Sequence, residues 1–188
     1  EKKMIEQVLH PHNLMRAYKQ VLKNKGSCGV DGLNVKDLYA YLHTHRKEIE
    51  ASLREGRYFP QSILGVRTPK SNGKTRLLGI PTVVDRWLQQ AVSQTIGVRF
   101  EPHFEQFSYG FRPHKNAQQA VLQAQEYINC GYQHIVDMDL KNFFDEVDHC
   151  VLLQLLYCKI KCQHTLRLIR KWLRAPILIN GKLVKRRK

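Results

Sequence analysis

The sequence predicts an α+β chain in which helices dominate and strands are few. Three observations carry this expectation. Long stretches repeat apolar residues at i, i+3, i+4 and i+7, only short stretches read as strands, and two of these flank Gly-containing turns. A chain of 188 residues suits one sizeable domain or two small lobes, and it can bury a core without disulfide staples.

Taken in order, residues 13–24 place Leu14, Met15, Tyr18, Val21 and Leu22 on one helical face, and Gly26 follows as a stop. Gly29-Val30-Asp31-Gly32 is a turn cluster. Val35, Leu38, Tyr39, Leu42, Ile49 and Leu53 mark a second helix, with Asn34 as its N-cap. From Pro60 to Pro81 the pattern shifts toward strands around Ser71-Asn72-Gly73, which predicts a hairpin over 63–80. Thr82, with Asp85 three residues on, resembles a capping box. It opens a long helix over 83–100 whose stripe is Val84, Trp87, Leu88, Ala91, Val92, Thr95 and Ile96. An aromatic loop from Glu101 to Pro113 precedes a helix over 116–128, and Gln133 to Leu140 reads as a strand. Helices from about His149 to Ile160 and around Leu166, Ile169, Trp172 and Leu173 follow. Ile177-Leu178-Ile179, Asn180-Gly181 and Lys182-Leu183-Val184 spell a last hairpin.

The charge is large and localised. Against 31 Lys+Arg there are 16 Asp+Glu, a formal +15, and residues 149–188 hold 11 of the basic side chains and no acidic one. A one-sided basic surface is the footprint of a polyanion partner, most often nucleic acid. No apolar run approaches the roughly 18 residues of a membrane-spanning helix, so no membrane partner is expected. Cys28, Cys130, Cys150, Cys158 and Cys162 are odd in number and irregularly spaced, which favours reduced thiols. His149, Cys150, Cys158, Cys162 and His164 lie along an apolar-periodic helix rather than on the turns of a zinc knuckle.

Two stretches carry chemistry. In Val136-Asp137-Met138-Asp139-Leu140-Lys141-Asn142-Phe143-Phe144-Asp145, two carboxylates two apart on a strand share a side, where they can hold Mg²⁺ beside substrate phosphates. An edge strand with solvated aspartates gives the same pattern. The second stretch is the basic hairpin Arg67-Thr68-Pro69-Lys70-Ser71-Asn72-Gly73-Lys74-Thr75-Arg76. A two-residue loop would pair 70 with 75, with Lys70 and Arg76 on opposite faces. A three-residue loop would pair 70 with 74 and align Lys70, Lys74 and Arg76 into a clamp for a triphosphate or nucleic-acid backbone. A solvated hairpin tip is the alternative for these cations.

Gly29-Val30-Asp31-Gly32, then Pro69-Lys70-x-x-Gly73-x-x-Arg76-x-Leu78-Gly79-Ile80-Pro81-Thr82 with Asp85-Arg86, then Phe107-Ser108-Tyr109-Gly110-Phe111-Arg112-Pro113, then Asp137-x-Asp139-x-x-x-Phe143-Phe144-Asp145-x-x-x-His149, stand in this order. The series resembles the ordered blocks of group II intron reverse transcriptases, the intron-encoded maturases. The resemblance implies an RNA-directed DNA polymerase of right-hand fold, with fingers over 1–115 and part of the palm over 116–188. The first catalytic block would lie at 136–149.

By position in the family pattern, Asp139 would be the first-block catalytic aspartate, and Leu140 would lend a backbone carbonyl to a metal. Lys70 and Arg76 would hold the triphosphate of the incoming deoxynucleotide (dNTP), and Phe144 would close over C2′ of its sugar. A bulky ring there excludes ribonucleotides by clash. Lys74 joins the nucleic-acid-binding hairpin, and Arg112 either touches template or stabilises its lobe. Asp137, Asp145 and His149 match without acquiring a catalytic role.

The implied cofactor is Mg²⁺ in a two-metal site, and the implied partners are RNA template, DNA primer, dNTP and group II intron RNA. The compartment would be cytoplasmic or an organellar matrix. Alternatives are an intron RNA-binding splicing module, or a retron-type or diversity-generating reverse transcriptase. The family's later Tyr-x-Asp-Asp and Pro-Gln-Gly blocks do not occur here, and no Asp or Glu follows Asp148. The expectation is a polymerase fragment, incompetent alone, with an incomplete metal site.

Overall fold

The computed structural model describes residues 2–69 and 73–185. Helix α1 (Lys2–Val8), α2 (Pro11–Asn24) and α3 (Leu38–Arg54) are followed by strands β1 (Ile63–Pro69) and β2 (Thr75–Ile80) and the long α4 (Val83–Phe100). Then come α5 (Ala117–Asn129), the one-turn α6 (Phe143–Glu146), α7 (His149–Ile160), α8 (Gln163–Leu173) and the short strands β3 (Ile177–Ile179) and β4 (Lys182–Val184). The α+β expectation holds.

The core forms where the apolar faces of α1, α2, α3, α4 and α8 meet. Leu14, Ala17 and Val21 of α2 face Trp87, Leu88, Ala91 and Val92 of α4, with Leu38, Leu42 and Leu53 of α3 and Leu168 of α8 completing the cluster. Full burial of each large side chain contributes roughly 1.5–3 kcal/mol. Trp87, 1% exposed, also donates its indole N–H to the Leu14 carbonyl at 3.0 Å. Asn13 ties the turn between α1 and α2 to α4: its Nδ2 donates to the carbonyls of Val8 at 2.8 Å and Ala91 at 3.0 Å. Helix α1 escapes the periodicity because it is too short to repeat a stripe, yet Ile5, Val8 and Leu9 belong to this core.

The four strands form one mixed sheet in the order β2-β1-β3-β4. β1 pairs antiparallel with β2 and parallel with β3, through Ile63↔Ile177 and Leu64↔Leu178. The final hairpin turns at Asn180 and Gly181, both at positive φ, as a two-residue loop of this kind requires. Chain elements 114 residues apart are thus joined directly, and α8 meets the end of α3, where His164 lies against the Leu53 carbonyl.

Two expectations fail. Asn34 stands before a 3₁₀ turn over Val35–Asp37, but its side chain makes no capping hydrogen bond. Instead Asp31 Oδ1 accepts from the Leu33 amide at 3.2 Å and sets the turn locally. More consequentially, residues 133–140 form no strand. A strand exists only through its ladder, and no described segment pairs with this one. Ile135, Val136, Met138 and Leu140 are correspondingly exposed, as are Val121, Leu122 and Ile128 on α5. The apolar stripe of α5 was legible, but among the described residues only its Tyr127 end meets other rings, those of Phe107 and Tyr132, and Val121, Leu122 and Ile128 stay exposed.

Candidate functional site

The hairpin, the aromatic loop and the 137–145 segment are the three places where the candidate residues fall. In the hairpin, the register runs Arg67↔Leu77, Thr68↔Arg76 and Pro69↔Thr75. This register is out of step with a 70–75 pair. Gly73, at φ +74°, has a left-handed backbone that suits glycine. Lys70, Ser71 and Asn72 lie outside the described residues. Lys74 and Arg76 sit two apart and so share a face. Arg76 is anchored by its partner across the ladder, its Nε donating to Thr68 Oγ1 at 3.3 Å, while its strand stays exposed from Thr75 to Gly79. A solvent-facing cationic arm is the result.

Arg112 is held on several sides. Its Nε donates to Glu101 Oε1 at 3.0 Å and its Nη1 to the carbonyls of Glu105 at 2.6 Å and Ser108 at 3.0 Å. A second guanidinium nitrogen pairs with Glu101 at 2.8 Å, and the group lies over the Phe104 ring at 5.3 Å. Lys115 fixes the same loop through the Gln106 carbonyl at 3.0 Å and the face of Tyr109. The loop then enters α5 through a capping box formed by Asn116 and Gln119.

Asp139 and Leu140 lie in the irregular segment before α6, exposed to solvent. Asn142 takes a left-handed conformation that reverses the chain into α6, and the Leu140 carbonyl accepts from the Phe143 amide at 3.3 Å. That carbonyl keeps a second lone pair. Phe144 is 89% exposed and stands edge-on to Phe143, ring centroids 5.4 Å apart. Among the described residues, Arg76 bonds within its own hairpin and makes no hydrogen bond or ion pair with Asp139. Nor does any group of three His, Cys, Asp or Glu form a metal cage among them. Asp139 and the Leu140 carbonyl are thus oxygen groups open to solvent, without a third His, Cys, Asp or Glu grouped around them among the described residues.

What sequence reasoning underrated is Asp85. It was visible as the N3 residue of a cap, and Thr82 Oγ1 does accept from its amide at 3.2 Å. Yet its carboxylate, on a residue 1% exposed, receives four donors: Tyr58 Oη and Trp172 Nε1 to Oδ1, both at 2.8 Å, and Thr82 Oγ1 at 2.9 Å and the Gln61 amide at 3.1 Å to Oδ2. The approach to β1, the start of α4 and the end of α8 meet on this one group. Neighbouring Arg86 binds the loop before α3, Nη2 donating to the Ser27 carbonyl at 2.6 Å, and its burial lowers its pKa from the ordinary value. Gly29 explains the first sequence block physically. A Cβ there would lie 2.7 Å from Thr82 Cα, so only glycine lets this turn pack on the helix start.

Burial, reinforced by the charge of Asp85, pushes the Tyr58 phenol far above its ordinary range. In the unfolded chain that phenol ionises near pH 10, whereas in the fold it stays protonated. The folded state therefore holds more protons above about pH 10, and stability present below that pH is lost as pH rises beyond it. Tyr58→Phe is expected to cost roughly 1 kcal/mol at pH 7 and to flatten the alkaline decline. Urea unfolding between about pH 8 and 11.5 checks this; an unchanged alkaline slope would contradict it.

Comparison with known proteins gives a consistent result. The family model described as reverse transcriptase (RNA-dependent DNA polymerase) matches residues 68–188. The chain is 34% identical over 174 residues to the group II intron-encoded protein LtrA of Lactococcus lactis subsp. cremoris, covering 92% of this chain and 29% of that protein. It is 31% identical to protein YkfC of Escherichia coli, covering 92% of this chain and 47% of that one. To the putative COX1/OXI3 intron 2 protein of Saccharomyces cerevisiae it is 26% identical, covering 86% and 19%. This chain thus spans less than half the length of each of these relatives. Among solved structures, a chain of a partial Cas6-RT-Cas1–Cas2 complex superposes with a TM-score of 0.61 at 23% identity, over 96% of this chain and 29% of that one. That likeness shows the fold.

Proposed function

The chain belongs to the reverse transcriptase (RNA-dependent DNA polymerase) family, and from that premise we propose that it supplies the nucleotide-binding part of a group II intron-type enzyme. The reaction is RNA-directed DNA synthesis, in which a primer 3′-hydroxyl attacks the α-phosphate of a dNTP and pyrophosphate leaves. One observation carries the reading: the family match spans residues 68–188, and so includes Arg76, Arg112, Asp139, Leu140 and Phe144 together. Fingers over 1–115 are followed by a palm beginning at 116, with α8 and β3 turning back to brace the fingers.

In this reading Lys70 and Arg76 hold the triphosphate, and Arg76 is pre-set by its bond to Thr68. Phe144 stands where its ring can fill the space of a 2′-hydroxyl. Asp139 and the Leu140 carbonyl would hold Mg²⁺, which when bound would neutralise phosphate charge and activate the attacking oxygen. The remaining ligands come from the part of the parent protein that this chain does not span, so the chain alone is inactive. Lys74 lies beside the nucleic-acid backbone. Arg112, saturated by Glu101 and two carbonyls, supports its loop, and through the loop the template path. Residual affinity for intron RNA fits the same cationic surfaces.

The test is single-nucleotide incorporation by the complete protein. Lys70→Ala and Arg76→Ala are each expected to raise KM for dNTP about 10- to 100-fold, since each removes a charge-assisted phosphate contact. Affinity for the RNA–DNA hybrid should change little. Unchanged KM in both variants would overturn the clamp.

A further inference from the structure

The outer face of α8 holds charge that nothing described neutralises. Arg167, Arg170 and Arg174 recur at i, i+3 and i+7, which on a helix of about 100° per residue confines them to a sector of about 60°. Thr165, Leu168, Trp172 and Ala175 point the opposite way, into the molecule. All three arginines are exposed, and none makes a side-chain hydrogen bond or ion pair with another described residue. Neighbouring cations differ: Lys171 Nζ is spent on the carbonyls of Gly56 at 2.9 Å and Tyr58 at 2.7 Å, and Lys159 lies 3.1 Å from His103 Nε2. The nearby acid, Glu55, lines one cleft with Arg167 but is paired with Arg57.

The helix dipole favours cations in the last turn, which accounts for Arg170 and Arg174 as stabilising groups. It does not account for Arg167, nor for a 40-residue stretch, 149–188, without a single acid. Three arginines over about 10 Å of helix also present planar forks suited to successive phosphates. The ridge is rigidly mounted, because Trp172 is bonded to Asp85 and β3 enters the sheet directly after α8.

We propose that this arginine ridge is a docking surface for duplex RNA, gripping the phosphates of one strand away from the nucleotide site. The choice of RNA rests on the polymerase reading above. An anionic membrane is disfavoured because a membrane-binding helix must free its apolar face, and that of α8 is buried. An acidic protein is disfavoured because the ridge offers no apolar centre for an interface core.

The test is fluorescence anisotropy of a labelled 20-base-pair RNA duplex with the 188-residue chain from about 50 to 300 mM NaCl, beside a DNA duplex of the same sequence. The triple variant Arg167→Ala, Arg170→Ala, Arg174→Ala should lose about 10- to 100-fold in RNA affinity. Its log–log salt slope should fall by about 2–3, one counterion per lost phosphate contact. The triple lysine variant should keep most of the slope, which separates charge from folding. The alanine variant's urea midpoint should fall only slightly, because two cations leave the end of α8, and the variant should stay folded across the assay.

Equal affinity and slope in the alanine variant would overturn the proposal. So would tighter binding of the DNA duplex than of the RNA, or a loss confined to phosphatidylserine vesicles or a poly-glutamate peptide. Incorporation by the complete protein on a short unstructured primer–template should survive the alanine variant. A failed ridge is thereby distinguishable from a failed polymerase assignment.

Discussion

Asp139→Ala in the complete polymerase is expected to reduce RNA-templated nucleotide incorporation by about three orders of magnitude while leaving the fold intact. Both halves follow from position. Asp139 is exposed in the irregular segment before α6, and its carboxylate makes no hydrogen bond or ion pair with another described residue. Its removal should therefore alter unfolding free energy by no more than about 0.5 kcal/mol. A carboxylate that positions charge opposite a transferring phosphoryl group acts mainly in the transition state, and losing such a group costs about 10²–10³ or more in rate. The expected signature is a fall in kcat with RNA–DNA affinity and urea midpoint unchanged.

Asp85→Ala should behave in the opposite way, with a loss of about 3–5 kcal/mol of stability measured by urea unfolding of the chain. The substitution strands the part-buried Tyr58 hydroxyl and Trp172 indole N–H and leaves the Gln61 amide to water, each of which now donates to that carboxylate. Each stranded donor costs about 1–3 kcal/mol. Because domains of this size are stable by only about 5–15 kcal/mol, the variant should be partly unfolded at 37 °C. Asp85→Asn keeps an acceptor for one pair of donors and turns an N–H₂ toward the other, so a loss of about 2 kcal/mol is expected. An alanine variant as stable as the wild type would show that the hydrogen bonds on Asp85 do not hold α8 and the approach to β1 to the start of α4.

These two aspartates also mark what could be read from sequence. Both occur in patterned stretches, Thr82-x-x-Asp85 and Asp137-x-Asp139. For Asp85 the spacing announces a helix start, and α4 does begin at Val83. That Tyr58 and Trp172 converge on it is a matter of long-range packing, which no local spacing encodes. For Asp139 the alternation over 133–140 announces a strand, but pairing must come from a neighbour, and among the described residues none is present. Helices closed by their own hydrogen bonds were accordingly the most legible elements: α4, α7 and α8 lie where their stripes and caps place them. The hairpins were legible from their turns, whereas the parallel pairing of β1 with β3 was not, because it joins Ile63 to Ile177 without any local signal. At Arg112, two roles were open from sequence. Its four polar contacts are visible only once Glu101, Glu105 and Ser108 are folded around it.

The central claim is that this chain carries the nucleotide site and first catalytic aspartate of an RNA-directed DNA polymerase. Its most direct test is extension of a DNA primer annealed to an RNA template, with dNTPs and Mg²⁺, by the complete protein beside its Asp139→Ala variant. RNA-directed extension that requires Mg²⁺ and collapses in the variant is the predicted result. Extension that persists at the wild-type rate in the variant, or a complete protein that binds the hybrid and never extends it, would contradict the account.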